Sequence, residues 1–287
     1  MSQRILRAAR PAYRDDIGDL TTRRPLPGPG LDQIDPFLFL NHHGPQTYPP
    51  GNRGLPFGPH PHRGFETVTF ILEGELAHLD SGGHESVIRA GGVQWMTAGS
   101  GLVHAEISPE GFRRRGGPLE ILQLWVNLPS RLKMTAPRYV GLQRDDIPVI
   151  EADGGRARVN LISGDWNGRE GPYRSLTGVF MTTLELEAGA RLEFGGLGGR
   201  GIFLYVVRGS VRAGGGEIAA FHLAESGDEG DVLTIEAAQD SVVLFGHGEP
   251  TREPVVAHGP FVMNTHDEIR QAITDYQAGR FGDVRVS

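Results

Sequence analysis

From Phe65 onward, apolar and polar positions alternate along the chain. Val68, Phe70 and Leu72 interleave with Thr67, Thr69 and Ile71 before the Glu73-Gly74 turn. Leu76, His78 and Asp80 lead to a Ser81-Gly82-Gly83 turn; Val87-Ile88, the Gly91-Gly92 turn and Val93-Gln94-Trp95-Met96 follow, and Leu119 to Leu128 adds another alternating run. Successive side chains of a strand point to opposite faces, so short runs of this kind about every 8–12 residues, closed by glycine turns, predict an antiparallel sandwich or small barrel.

The plan returns in the second half of the chain. Phe203-Leu204-Tyr205-Val206-Val207-Arg208-Gly209-Ser210-Val211 resembles Phe70-Ile71-Leu72-Glu73-Gly74-Glu75-Leu76, and Gly230-Asp231-Val232-Leu233 resembles Gly92-Val93-Gln94-Trp95. Gly74 to Gly92 spans 18 residues and Gly209 to Gly230 spans 21, which predicts two copies of one β unit. Two copies are too few for a solenoid. The divide is expected between Pro129 and Pro148, giving domains 1–135 and 150–287. Near the end the period changes. Thr265 and Glu268 have capping-box spacing, Ile269, Ala272, Ile273 and Tyr276 recur at helical period, and Gly279 sits where a C-terminal cap belongs, so one helix of about three turns is expected there.

Composition supports the all-β reading. Glycine and proline supply 62 of 287 residues, which suits many short strands and turns and excludes a helical bundle. The formal charge is −7 with no basic run, leaving no electrostatic footprint for nucleic acid or an anionic membrane. Cysteine is absent, so disulfides, thiolate metal sites and cysteine nucleophiles are excluded together. Arg4, Arg7 and Arg10 interrupt any signal-peptide core, and no apolar run approaches the roughly 20 residues of a membrane span. A soluble, cytoplasmic protein is expected.

Residues 42–64, dense in His, Pro and Gly, read as a loop, with His42 and His43 exposed to solvent at its start. At its end stands His60-Pro61-His62. Residues i and i+2 of an extended segment face the same way, so both imidazoles can reach one point. His104-Ala105-Glu106 repeats the spacing on another predicted strand. Three imidazoles and one carboxylate form an N3O set suited to a first-row divalent metal with positions left open. Glu66 could share the His60 and His62 face by parity. His78 alternates with Asp80 and is expected to bond a neighbour, while His222, His247, His258 and His266 have no partner at ligand spacing. Gly195-Gly196-Leu197-Gly198-Gly199 lacks the Lys-Ser/Thr of a phosphate loop, and Ser100 lacks a nucleophile elbow. Counting from the glycine turns puts Leu197, Val242 and Leu244 in the second copy where His62, His104 and Glu106 stand in the first, so one metal per chain is expected.

The residues carry a resemblance. Gly54, His60, His62, Glu66 and Gly74 resemble the first cupin motif, and two longer strings, Pro59 to Thr69 and Gln94 to Glu106, resemble the pirin family. The similarity continues at Asn127-Leu128-Pro129, Lys133-Met134 and Pro137-Arg138-Tyr139, then at Glu253 to Val256 and Gly259 to Thr265. It implies a bicupin, two antiparallel β-barrels with a short C-terminal helix, and one mononuclear metal in the first barrel. By matched position the ligands are His60, His62, His104 and Glu106, with iron(II) first and Ni, Mn, Co, Cu or Zn as alternatives. Glu66 is then a supporting or strand-pairing residue.

Some pirins are described as quercetin 2,3-dioxygenases. The resemblance therefore implies a flat, flavonol-like aromatic substrate and dioxygen, with Glu106 taking the substrate proton and Phe57, Phe65 and Trp95 as candidate pocket walls. A non-catalytic, metal-dependent regulator with a protein partner is the alternative the resemblance also allows. Fold alone does not decide between them.

Overall fold

The computed structural model describes residues 2–284; Met1 and 285–287, at the ends of the two expected domains, lie outside the described residues. The chain forms two compact units, each discontinuous in sequence. One contains the chain up to Tyr13, Arg24–Leu38 and Asp146–Pro250; the other contains Arg14–Arg23, Phe39–Asp145 and the chain from Thr251 on. The Asp145-Asp146 junction falls within the expected Pro129–Pro148 stretch, but the simple division into 1–135 and 150–287 needs correction, because the ends cross over. Leu6–Pro11 pairs antiparallel with His222–Ser226 of the second repeat. The guanidinium of buried Arg4 anchors it there by donating to the carbonyls of Leu197, Arg200 and Gly227. The C-terminal helix belongs with the first repeat.

In the second-repeat unit a seven-stranded antiparallel sheet runs in the order Leu6–Pro11, His222–Ser226, Gly201–Arg208, Ser241–Gly248, Phe180–Leu186, Ala157–Ser163, Val149–Ala152. A four-stranded sheet has the order Arg191–Phe194, Leu233–Ala237, Ser210–Ala213, Gly216–Ala219. Alternate residues of both sheets, among them Leu184, Leu204, Phe245, Leu192 and Ile235, share one apolar core.

The first-repeat unit has the same two-sheet plan. Its larger sheet runs Arg138–Leu142, Val93–Thr97, Phe65–Glu73, Gly117–Asn127, Phe37–Tyr48, Thr22–Leu26, Tyr13–Arg14. Its smaller sheet has the order Phe57–His62, Leu102–Ile107, Glu75–Asp80, Glu85–Arg89. Ile71, Leu76, Ile88 and Ile121, drawn from both sheets, meet in its core.

The expected loop over 42–64 is corrected in part. Phe37–Tyr48 is a long strand inside the larger sheet, and His42 and His43 on it are buried rather than exposed. His42 Nε2 meets Glu120 Oε1 at 2.9 Å and His43 Nδ1 meets Thr22 Oγ1 at 2.9 Å, so each imidazole has a polar partner in the interior. Phe57–His62 is an edge strand, where Pro59 and Pro61 can replace a backbone donor without breaking a ladder on both sides.

Thr265 caps the helix His266–Gln277 with a complete capping box: its hydroxyl accepts from the Glu268 backbone, and Glu268 Oε2 accepts from the Thr265 backbone. Gly279 follows with φ of 73°, the left-handed conformation that terminates helices. Ile269 and Ala272 pack with Phe261, Met263 and Phe281 against Val103 and Ala105. No helix among the described residues is long and apolar enough to cross a membrane.

Candidate metal centre

Alternation along Leu102–Ile107 builds the site. Val103 and Ala105 face the C-terminal helix, so His104 and Glu106, of the other parity, face the interior between the sheets. Antiparallel pairing with Phe57–His62 sets His104 opposite His60 and Leu102 opposite His62. One ring nitrogen from each of His60, His62 and His104 lies within 4.8 Å of the others, the one such group among the described residues. The ring centroids are 4.4 Å (His60–His104), 4.9 Å (His60–His62) and 5.0 Å (His62–His104) apart.

Hydrogen bonds decide which nitrogens are available. His60 Nδ1 bonds the Gly58 carbonyl at 2.8 Å, and His62 Nδ1 bonds the Pro260 carbonyl at 3.2 Å. A carbonyl can only accept, so each Nδ1 carries hydrogen and Nε2 is the nitrogen left for a cation. Both ring nitrogens of fully buried His104 lack a hydrogen-bond partner in the fold. Burial pushes His62 down to about 3, helped by His60, and pushes His104 well below the usual imidazole value, helped by His62, His60 and His78. Three convergent imidazoles, with burial favouring the neutral form of His62 and His104 and one enclosed ring otherwise unpartnered, fit a first-row divalent cation.

Glu106 faces the same interior but lies outside the group of converging nitrogens. Its Oε1 accepts from Thr69 Oγ1 at 2.8 Å and from Gln94 Nε2, and its Oε2 accepts from Gln123 Nε2. Glu66 is turned to the opposite face of the large sheet from Thr69, where it accepts from Thr97 Oγ1 at 2.7 Å. The Arg63-Gly64 bend breaks the parity that could have aligned it with His60 and His62. Gly64, at φ 91°, is required there: a Cβ would lie 2.0 Å from the Val262 carbonyl. Lys133 fixes the same bend by donating to the carbonyls of Gly64 (2.9 Å) and Val262 (3.0 Å) and to Asn127 Oδ1 (2.7 Å).

Of the expected aromatic walls, Phe65 lies by the site, 4.9 Å from the His62 ring. Trp95 has the opposite parity to Gln94, and Phe57 packs beside His43 and the apolar core. Trp125 was not singled out by sequence reasoning, yet its ring lies 5.4 Å from His62 and 4.4 Å from Phe65. Thr69, Gln94 and Gln123 were missed too. Their signal is visible in retrospect: each is a polar residue flanked by apolar neighbours within its strand. His78 bonds Asp80 as expected, at 3.1 Å, and stacks on Tyr139 with centroids 4.0 Å apart.

The second unit corrects the counted equivalences. In the larger sheet Val93–Thr97 is the strand after Gly92, and the segment after Gly230 leads instead into the smaller sheet of its own unit. The strands in the places of Phe57–His62 and Leu102–Ile107 are therefore Arg191–Phe194 and Leu233–Ala237, with Leu192 opposite Ile235 and Phe194 opposite Leu233. All four are apolar core. The apolar character expected of the second copy holds, at different residues from Leu197, Val242 and Leu244.

Paired antiparallel two-sheet units, one holding a three-histidine cluster and the other apolar at the same place, define a bicupin. The pirin family model matches residues 19–126 and the pirin C-terminal cupin domain matches 181–282; the chain belongs to the pirin family. It is 40% identical over 248 residues to a Pseudomonas aeruginosa protein provisionally named a quercetin 2,3-dioxygenase, covering 86% of this chain and 87% of the relative. It is 39% identical over 274 residues to human pirin, covering 92% and 89% respectively. The crystal structure of a quercetin 2,3-dioxygenase from Acinetobacter baumannii superposes with a TM-score of 0.93 at 33% identity, over 99% of this chain and 100% of that one.

Proposed function

We propose that this protein is a metal-dependent oxygenase of the quercetin 2,3-dioxygenase type, in which His60, His62, His104 and Glu106 hold one divalent metal, iron(II) first, and Glu106 also takes a proton from a flavonol hydroxyl. The observation that carries the reading is the convergence of three imidazoles within 4.8 Å, one of them buried with both ring nitrogens unpartnered. The whole-length likeness to the Acinetobacter enzyme supports the reaction type. When bound, the cation supplies Lewis acidity toward a substrate oxygen and a redox partner for dioxygen.

The side chains supply the rest. The carbonyls of Gly58 and Pro260 orient two of the rings, and burial keeps His62 and His104 free of protons that would compete with a metal. Glu106 is an enclosed carboxylate in the same interior, able to accept a proton from a hydroxyl brought to it. Half-buried Trp125, backed by fully buried Phe65 beside His62, offers a flat apolar wall matched to fused aromatic rings.

The test is anaerobic loading with iron(II), followed by quercetin and dioxygen. Loss of flavonol absorbance with one carbon monoxide released per flavonol consumed is expected. No turnover at any metal loading overturns the reading.

A further inference from the structure

Three consecutive residues of the C-terminal stretch run beside the second histidine. His62 Nδ1 donates to the Pro260 carbonyl at 3.2 Å, the Val262 amide donates to the Arg63 carbonyl at 3.1 Å, and Arg63 forms a parallel bridge with Phe261. Lys133 closes this seam. Its buried ammonium has three hydrogens and meets three acceptors: the carbonyls of Gly64 and Val262, one from each side of the seam, and Asn127 Oδ1. The turn that carries Lys133 is itself fastened to the same stretch. Glu253 accepts from the Ser130 backbone at 2.6 Å and from the Ser130 hydroxyl at 3.0 Å, and Asn264 donates to that carboxylate at 3.1 Å. Beyond the seam, Arg63 donates to the Ser100 carbonyl at 2.7 Å and to Asp275 of the C-terminal helix at 2.8 Å. Each residue of His62-Arg63-Gly64 is thus tied to the end of the chain, His62 and Arg63 directly and Gly64 through Lys133. His60 differs: its ring is held by Gly58, two residues away on its own strand.

Resting on the reading of this centre as a metal site, we propose that Lys133 and Asp275 are positioning residues that act on the metal through His62. By tying Gly64 to Val262 and Arg63 to the C-terminal helix, they hold the Pro260 carbonyl on His62 Nδ1 and keep His62 Nε2 aimed at the cation. Groups that orient a ligand in this way set metal affinity without touching the metal. The sign of the effect separates positioning from charge. A positive side chain opposes a nearby cation, so charge alone makes binding tighter when Lys133 is neutralised. Positioning makes it weaker.

Cobalt(II) bound to the whole chain provides the test. Affinity is read by chelator competition, and the ring N–H hydrogens of the metal-bound histidines are read as shifted proton resonances, assigned by their nuclear Overhauser contacts. Lys133→Met is expected to lower cobalt affinity about 10–100-fold. It should also speed solvent exchange of the His62 ring hydrogen at least about tenfold, with the His60 ring hydrogen within about threefold of wild type. Asp275→Asn is expected to move both readouts in the same direction by about threefold or more. Unchanged or tighter cobalt binding in Lys133→Met, or equal acceleration of the His60 and His62 hydrogens, overturns the proposal. Circular dichroism and Tm check folding; if Lys133→Met does not fold, Asp275→Asn decides by the same two readouts. His104→Ala measured alongside separates the two levels. Cobalt retained by His104→Ala overturns the metal site itself, whereas cobalt lost by His104→Ala but held unchanged by Lys133→Met overturns only the positioning role.

Discussion

His60 and His104 stand directly opposite each other on two antiparallel strands, their ring centroids 4.4 Å apart. Neither ring reaches the other through sequence proximity; the pairing register brings them together. Removing one should therefore empty the centre while leaving the strands paired. His104→Ala is expected to lower metal affinity by more than about 100-fold, beyond the 10–100-fold loss typical of outer-shell changes. Metal analysis and the thermal shift on adding metal check it. Wild type gains about 2.7 kcal/mol at a metal concentration of 100 times its Kd, and the variant gains less than about 0.4 kcal/mol.

The second unit supplies the contrast. Phe194 is buried in the core, its ring 4.5 Å from Phe245 and 5.8 Å from Phe180. Phe194→Ala is expected to cost about 3–5 kcal/mol through lost packing and a residual cavity. Chemical denaturation measures the cost, and metal content should not change. A metal-depleted but equally stable variant would contradict the assignment of Phe194 to packing.

Thr265→Ala removes a hydroxyl that accepts from the Glu268 backbone at the helix start. Loss of an N-cap is expected to cost about 1 kcal/mol, with Thr265→Ser restoring most of it. Equal stability of Thr265→Ala and wild type in urea would show that tertiary packing alone holds the helix.

Acid stability should depend on Asp80. Burial alone would raise its carboxyl, but hydrogen bonds from the His78 ring and from the His84 backbone and ring outweigh that and hold it at about 2. A carboxylate whose folded value is depressed contributes stability above its unfolded value of 3.8, and that contribution is lost as pH falls toward 2. The stability gap between wild type and Asp80→Asn should be widest above about pH 4 and should shrink steadily below it. A gap independent of pH in urea titrations contradicts this.

The alternation of Val68, Phe70 and their neighbours was enough to read antiparallel strands, and the spacing of His60-x-His62 and His104 was enough to read three converging rings. Thr265 and Glu268 announced the helix because a capping box is a local device. What stayed hidden depends on long-range pairing. Gln94 and Gln123 become neighbours of Thr69 only through sheet register, which no local pattern reports. Glu66 could not be separated from the histidine face because Gly64 resets the parity two residues before it. His42 and His43 looked like loop residues because Pro45 follows them, and only a central strand with buried partners at Glu120 and Thr22 shows otherwise. The exchange of chain ends was equally invisible, since neither Leu6–Pro11 nor the C-terminal helix carries a mark of the repeat it joins.

That exchange sets a timetable for biosynthesis. The His62 ring takes its orientation from the carbonyl of Pro260, 198 residues further along the chain. Domains commonly fold as the ribosome delivers them, beginning at the N-terminus, but the carbonyl that orients the His62 ring leaves the ribosome only after Pro260 has been made. A nascent chain that has not yet reached Pro260 therefore presents the His62 ring without that support.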